Sequence, residues 1–479
     1  MKFLMKNIML KKKNKDRKKK KQLRKVMLSS TISQNHLVNV VEEEAKKKRL
    51  QSNTLILPDE LIAEIISVLN IKTIVRLKCV SKSWNILISD PTFVEKHLSK
   101  SSQNPHLLLT PLTWEYPMSS VVSLPVSRLL ENQSSTVSGD NCHGWANTVH
   151  VVGTCKGLLC LLFCVDQTYW FRLWNPATRA ISLKLGTSHD YNTFKFSFGC
   201  DILTGTYKVV VYQVEKDEEN DGSWRSQVKV FSFSDKCWKN IDSFPLIPIT
   251  CIQFQIDPNN NGVHLSGTIN WLTLGNYFDQ FMIVSLDLST EKYTQFLLPS
   301  GFDEVPYVQP TLHVLMDFLC FSHDFKRTEF VIWQMKEFGV QESWSQLFRI
   351  DYINLQMDNL SVVINNNMGL NAEIFDCNTP LLPLHLSKNG DKLIIANCED
   401  DHAIIYNRRD KSVERIRVSY KVWLYSSMNY VESLVSPPWK TGNKFSIQDS
   451  EIAKIDGDSS EEDEEEVEGP LLAEDLDED

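Results

Sequence analysis

The sequence has no run of about 18 consecutive apolar residues, the length a membrane-spanning helix requires. Its apolar start, Met1-Lys-Phe-Leu-Met-Lys-Asn-Ile-Met-Leu10, is broken by lysines and followed by more of them, so a secretory signal does not fit. Glycine and proline, 18 of each in 479 residues, are too few for a fibrous or low-complexity chain. Cysteine occurs 11 times, an odd number, without the dense spacing of a disulfide-stapled secreted domain. Runs such as Gly157-Leu-Leu-Cys160-Leu-Leu-Phe-Cys164 read instead as reduced, buried thiols of a nuclear and/or cytoplasmic protein. Without secretion, the sequon Asn132-Gln133-Ser134 has no chemistry attached.

Enzyme signatures are also missing. There is no Gly-x-Ser-x-Gly elbow, phosphate loop or Gly-x-Gly-x-x-Gly after a strand. Cys155, Cys160 and Cys164 lack the Cys-x2-Cys pairing and histidine partners of a zinc site. Cys142-His143, the one adjacent thiol and imidazole, reads as loop, and Asp400 and Asp401 as turn residues. We therefore expect no catalytic residue, cofactor or metal ligand.

What is present is a globular composition, 42% hydrophobic and 10% aromatic, with charge gathered at the ends. Of 51 Lys/Arg and 60 Asp/Glu, residues 1–50 hold 17 and 4, residues 450–479 hold 1 and 15, leaving 33 and 41 between them. The middle is nearly neutral per residue, which argues against a nucleic-acid-binding body. The basic block Lys11-Lys-Lys-Asn-Lys-Asp-Arg-Lys-Lys-Lys-Lys21 repels itself, and residues 1–50 are expected to be a disordered leader, read either as a nuclear signal or as a solvated extension. The acidic tail, 440–479, is expected to be disordered as well.

Residues 51–100 change character. Leu57, Leu61, Ile62, Ile65, Ile66 and Leu69 place one broad apolar stripe on a helix, with Pro58 at its start and Asp59 and Glu60 in its first turn. A second short helix carries Ile74, Leu77 and Val80; a third starts at Ser81 as N-cap and carries Trp84, Leu87 and Ile88; Asp90-Pro91 opens a fourth with Phe93, Val94 and Leu98. Four short helices in so few residues have more apolar side chains than their interior can hold. The surplus points to a partner-binding face.

From 105 to 438 the pattern is of short β runs separated by turns. Anchors Trp174, Phe231, Leu286 and Tyr406 each have an apolar residue seven places on, Ile181, Trp238, Tyr293 and Val413, across a polar turn. Trp333 to Trp344 repeats the unit with four extra residues, placing Met335-Lys-Glu-Phe-Gly339 in the turn. The spacing fits four-stranded propeller blades. Five units need a sixth, which strands near His106–Leu109 and Val121–Leu124 would close with Asn429–Val435, removing the open edge. The expected fold is multidomain: a small all-α unit, then an all-β propeller of about six blades. A sandwich or an irregular stack of hairpins is the competing arrangement. Trp114, Tyr116, Trp170, Trp271 and Trp423 read as core more readily than as a recognition surface.

Leu57-Pro-Asp-Glu-Leu-Ile-Ala-Glu-Ile-Ile66, Arg76-Leu-Lys-Cys-Val-Ser-Lys-Ser-Trp84 and Asp90-Pro-Thr-Phe93 resemble an F-box of the plant type. Gly153-Thr-Cys-Lys-Gly-Leu-Leu-Cys160, Leu173-Trp-Asn-Pro-Ala-Thr-Arg179, Phe198-Gly-Cys-Asp201, Leu265-Ser-Gly-Thr-Ile-Asn-Trp271, Ile332-Trp-Gln-Met-Lys-Glu-Phe-Gly339 and Tyr430-Val-Glu-Ser-Leu-Val435 resemble the F-box-associated, kelch-like interaction domain. The paired glycines of true kelch repeats are absent. The resemblance implies a substrate receptor of a Skp–cullin–F-box ubiquitin ligase: the F-box docks on a Skp-family adaptor, and the β domain captures a target protein. A propeller-fold enzyme or a scaffold unconnected to a ligase is the alternative. Carried over to the adaptor contact are Leu57, Pro58, Leu61, Ile65, Val80 and Trp84, with Ile62 and Leu77 the better candidates for the F-box interior. Leu69-Asn70-Ile71-Lys72 stands where the family usually has Leu-Pro, which is expected to loosen the turn between the first two helices.

Overall fold

The computed structural model describes residues 57–439 apart from 110–118, 132–134, 146–148, 166, 190–193, 217–223, 253–261, 275–280, 301, 303–308, 356–380, 398–401, 420–423 and 425–426. The basic leader and acidic tail, with Trp114, Tyr116, Asp400, Asp401 and Trp423, lie outside the described residues. The chain divides into two units, residues 1–65 and 66–479.

The first unit carries most of helix α1, Asp59–Ile66, with Asp59 and Glu60 in its first turn. The Pro58 carbonyl opens it by accepting from Leu61 N and Ile62 N at 3.0 and 3.1 Å. The helix stops at Ile66 and does not reach Leu69, which is exposed.

The second unit continues with α2 (Ile71–Leu77), α3 (Lys82–Ser89) and α4 (Pro91–Ser101). Each is capped by a polar side chain that accepts from an otherwise orphaned amide. Ser81 Oγ accepts from Trp84 N at 3.2 Å and Asp90 Oδ1 from Thr92 N at 2.9 Å, with Pro91 as the first helical residue of α4. Asn70 is the N-cap of α2, its Oδ1 accepting from Thr73 N at 2.9 Å. A side-chain hydrogen bond thus organises the helix start where the family's proline would act through its ring. Val80 falls in the turn after α2 rather than on it. The buried apolar residues are Ile66, Ile71, Ile74, Ile88 and Phe93, whereas Ile62 and Leu77 are only half-buried.

Six sheets of four or five strands follow, antiparallel but for one added strand. Blade 1 is built from 106–109, 119–125 and 140–145 with 428–430 from the far end of the chain. Blade 2 runs from Val149 to Ser188, blade 3 from Lys195 to Ile241, blade 4 from Val263 to Leu297, blade 5 from Thr311 to Asp351 and blade 6 from Leu381 to Ser419. The seven-residue repeat is the hairpin that closes blades 2, 3, 4 and 6. Trp174 faces Ile181, Phe231 faces Trp238, Leu286 faces Tyr293 and Tyr406 faces Val413 across neighbouring strands. In blade 5 the equivalent pair is Met335 and Trp344; Trp333 faces Gln346, two pairs further from the turn. Met335 is therefore a strand residue and the buried anchor, not part of the turn.

Closure is shown by packing as well as by pairing. One apolar cluster lies between each neighbouring pair of blades: 1 and 2 around Leu108 and Trp174, 2 and 3 around Phe171 and Phe198, 3 and 4 around Tyr212 and Trp271, 4 and 5 around Ile283 and Phe321, 5 and 6 around Ile332 and Ile404, 6 and 1 around Leu107 and Ile405. Six clusters joining six blades make a ring, which a sandwich would not. The last-to-first strand pairing is His106 with Tyr430 and Leu108 with Met428. A second closure was not legible in the sequence: Thr136–Ser138 adds in parallel to the outer strand of blade 6, Val137 opposite Val418. Cys142 and His143, expected in a loop, lie on the strand Asp140–Trp145.

The closing strand ends at Tyr430, earlier than expected, because the chain beyond it bonds to neighbours at the rim. Asn175 Nδ2 donates to the carbonyls of Ser433 and Val435 at 2.9 and 2.8 Å, and its Oδ1 accepts from Ala177 N and Thr178 N. Gly157, at φ 77°, lies beneath the same segment: a Cβ there would stand 2.3 Å from Ser433 Oγ, so only glycine fits without displacement. Trp439 then donates from Nε1 to Phe233 O at 2.9 Å, and its carbonyl accepts from Leu183 N. Three motifs far apart in sequence meet in this one latch.

Candidate partner-binding surfaces

In the first unit, Leu57, Leu61 and Ile65 recur at four-residue intervals and are 53, 51 and 59% exposed. That interval puts Leu61 and Ile65 on one face of α1, with Leu57 just before its start. Pro58 is exposed beside them. Aliphatic side chains left this bare on one helix face cost solvation unless something covers them.

In the second unit, Val80 is exposed and Trp84 is half-buried on α3. Val68, Leu69 and Ile86 are exposed too, Ile86 at 72%. Ile86 escaped sequence reasoning because it falls off the Trp84–Leu87–Ile88 stripe; an apolar residue on the polar side of an amphipathic helix was its only signal. The second unit's F-box helices therefore carry a mixed apolar and polar surface of their own.

Trp170 and Trp271 are buried: Trp170 stacks on Phe163 at 5.7 Å, and Trp271 meets Tyr212 and Phe244 edge-on at 5.8 and 5.0 Å. Trp224, Trp238, Trp333 and Trp344 are half-buried, and Trp439 is 47% exposed, with Lys236 Nζ 3.5 Å from its ring centre. Ile202 and Leu203 stand exposed at the tip of a turn held by Asp201, whose Oδ1 accepts from Leu203 N and Thr204 N.

Chemistry-bearing groups are scattered. Among the described residues, no group of three or more His, Cys, Asp or Glu side chains lies close enough to hold a metal ion. Cys155 and Cys160 are buried and Cys164 is half-buried on strands of blade 2. His313 is buried without a hydrogen-bond partner for either ring nitrogen, and burial pushes its pKa down to about 3. A cavity of about 410 Å³ on blade 3 is lined by Glu215, Trp224, Arg225 and Ser243 among others, which supply charge and hydroxyl but no nucleophile beside a base.

The described residues form a capped helical segment with a bare apolar stripe, followed by a six-bladed ring. Residues 55–96 match the F-box domain family and 115–437 the F-box associated beta propeller domain family. The chain belongs to the F-box associated propeller family and is a plant F-box protein. It is 27% identical to the F-box/kelch-repeat protein At3g23880 of Arabidopsis thaliana, over 72% of this chain and 93% of that one. With the F-box protein At5g10340 of the same plant it shares 30% identity over 62% of this chain and 70% of that one. Among solved structures, the Dos1 propeller overlays 69% of this chain and 70% of its own at 9% identity, with a TM-score of 0.32.

Proposed function

We propose that this protein is the substrate-recognition subunit of a Skp–cullin–F-box ubiquitin ligase, working in the nucleus or cytoplasm. Its F-box docks on a Skp-family adaptor, and its propeller captures the protein to be ubiquitinated. The observation that carries the reading is the exposed stripe Leu57, Leu61 and Ile65 on a segment that matches the F-box family. Pro58, Val80 and Trp84 complete the adaptor contact. Aliphatic and aromatic residues that become desolvated at an interface dominate its energy.

The chain performs no transfer itself. It supplies proximity: the adaptor and cullin bring the RING subunit and its ubiquitin-charged partner, and the rigid ring holds a target lysine near them. The test is reconstitution. A complex of the full chain with adaptor, cullin and RING subunit should transfer ubiquitin to a protein co-purified on the propeller, and omission of the adaptor should abolish transfer. Transfer that persists without the adaptor, or turnover of a small substrate by the isolated chain, would refute the reading.

A further inference from the structure

The inner strands of blades 2 and 3, Val149–Cys155 and Lys195–Cys200, run in the same direction and end at the same rim. They approach so closely at Gly153 that a Cβ there would stand 3.2 Å from Phe198 Cβ. Two residues further along each strand, where the pleat returns side chains to the same face, come Cys155 and Cys200. Both are the last residue of their strand, both are buried, and both belong to the cluster that joins the two blades. The two thiols are near enough to shift each other's ionisation, and the Cys200 thiol donates to the Asp201 carbonyl at 3.4 Å. Strands this near carry two cysteines at matching levels, the placement a disulfide needs if its Cβ atoms are to lie about 3.5–4.5 Å apart.

The pair is also polarised. The neighbouring Cys155 thiol first, and the positive charge of Lys156 after it, hold Cys200 below the ordinary thiol range, whereas the Cys200 thiol and burial push Cys155 up. Cys200 is thus the easier of the two thiols to ionise. That is the division of labour between an attacking and a resolving cysteine.

We propose that Cys155 and Cys200 are a redox-sensitive thiol pair that closes to a disulfide between blades 2 and 3. With hydrogen peroxide as oxidant, the Cys200 thiolate attacks one peroxide oxygen, giving a sulfenic acid and hydroxide, which takes up a proton to leave as water. The Cys155 sulfur then attacks the Cys200 sulfur, the S–S bond forms, and the hydroxyl departs as a second water. Two thiols lose two electrons and two protons, and one peroxide becomes two waters. The product staples neighbouring blades directly beneath the rim where the Asn175–Ser433 latch sits.

Other thiols provide internal controls. Cys160 shares the cluster, but complete burial pushes it well up, which disfavours the thiolate. Cys79 and Cys237 are exposed.

The experiment treats the full chain, in complex with adaptor, with one equivalent of hydrogen peroxide. The remaining thiols are alkylated under denaturing conditions, and the unreduced digest is read by mass spectrometry. The expected result is a Cys155–Cys200 cross-linked peptide that dithiothreitol removes, two fewer titratable thiols than the eleven present, and a thermal midpoint raised by several degrees. Cys155→Ser and Cys200→Ser should each abolish the cross-link and the shift. A Cys200 sulfinic acid with Cys155 still alkylatable, or linkage through Cys79, Cys160 or Cys237 in its place, overturns the proposal. The wild-type peptide map decides this even if a serine variant fails to fold.

Discussion

Asn175 Nδ2 and the Ser433 carbonyl, 258 residues apart in the chain, lie 2.9 Å apart in the latch of the ring, and both residues are fully buried. The amide of Asn175 bridges two elements: it donates to the C-terminal segment and accepts from its own turn. Replacing it by Ala would leave the Ser433 and Val435 carbonyls and two turn amides short of partners. At about 1–3 kcal/mol for each buried group left unsatisfied, Asn175→Ala should cost about 3 kcal/mol or more in chemical denaturation. Gly157→Ala attacks the same latch from the other side, through the Cβ that would meet Ser433. Since either change releases one segment, the double variant should lose clearly less than the sum of the two. Strict additivity would show that the latch does not act as a unit.

Blade anchors offer a second test, sensitive to register. Phe231 and Tyr406 are buried at the closing hairpins, and truncation to Ala should cost about 3–5 kcal/mol through lost burial and the cavity left behind. In blade 5 the structure assigns the anchor to Met335, which is buried, while Trp333 is half-buried and donates to His323 at 3.3 Å. Met335→Ala should therefore cost about 2–4 kcal/mol, as buried methionine truncations do. Met335→Ala falling within about 0.5 kcal/mol of wild type, the range of surface changes, would contradict that assignment.

Much of this architecture was legible because it is periodic. The seven-residue interval from Trp174 to Ile181 is a cross-strand pair, and a hairpin of fixed length repeats wherever a blade ends. The helix starts were legible because Ser81 and Asp90 announce caps. What escaped is local insertion and long-range pairing. The turn between Met335 and Trp344 is two residues longer than in the seven-residue unit, so Trp344 pairs with Met335 and not with Trp333, and the added length leaves no compositional mark. Thr136–Ser138 is too short to carry an alternation, so its parallel pairing with blade 6 has no signature. The motif residues Gly157, Asn175 and Ser433 were legible as family marks, but only three-dimensional contact reveals that they bind one another. On the F-box, the stripe of α1 was visible by spacing, and Ile86 was not.

Buried histidines should make the propeller acid-sensitive. Burial pushes His106, His323 and His385 down to about 4 and His313 to about 3, against about 6.5 in an unfolded chain. Below pH 6.5 the unfolded state takes up protons that the folded state refuses, so stability falls as pH drops from about 6.5 towards 4. Each histidine contributes at most about 1.4 kcal/mol per pH unit in that window. Asp324 and Glu432, raised by burial, act in the opposite sense as they protonate in the folded state. Denaturation midpoints measured from pH 7.5 to 4.5 should decline, and His313→Gln should flatten the slope. A stability that is level or rising across that range would rule out neutral burial of these rings.

The F-box stripe separates docking from folding. Leu61 and Ile65 are more than half exposed, so truncating them removes little burial from the chain itself. Leu61→Ala and Ile65→Ala should each leave the thermal midpoint and the far-ultraviolet spectrum unchanged, the usual result at exposed sites. Each should nevertheless weaken adaptor binding by about 2 kcal/mol, roughly 30-fold, the scale of an interface hot spot. Trp84→Ala differs in kind, because Trp84 is half-buried: it should lower both adaptor affinity and stability. Phe231→Ala is the control, expected to lower stability while leaving the affinity of the remaining folded chain for adaptor intact. Calorimetric titration of adaptor into each variant, beside its thermal melt, gives both readouts. If Leu61→Ala and Ile65→Ala bind as tightly as wild type, the stripe on α1 is not the docking face, and the surface around Val80 and Ile86 takes its place as the one to test.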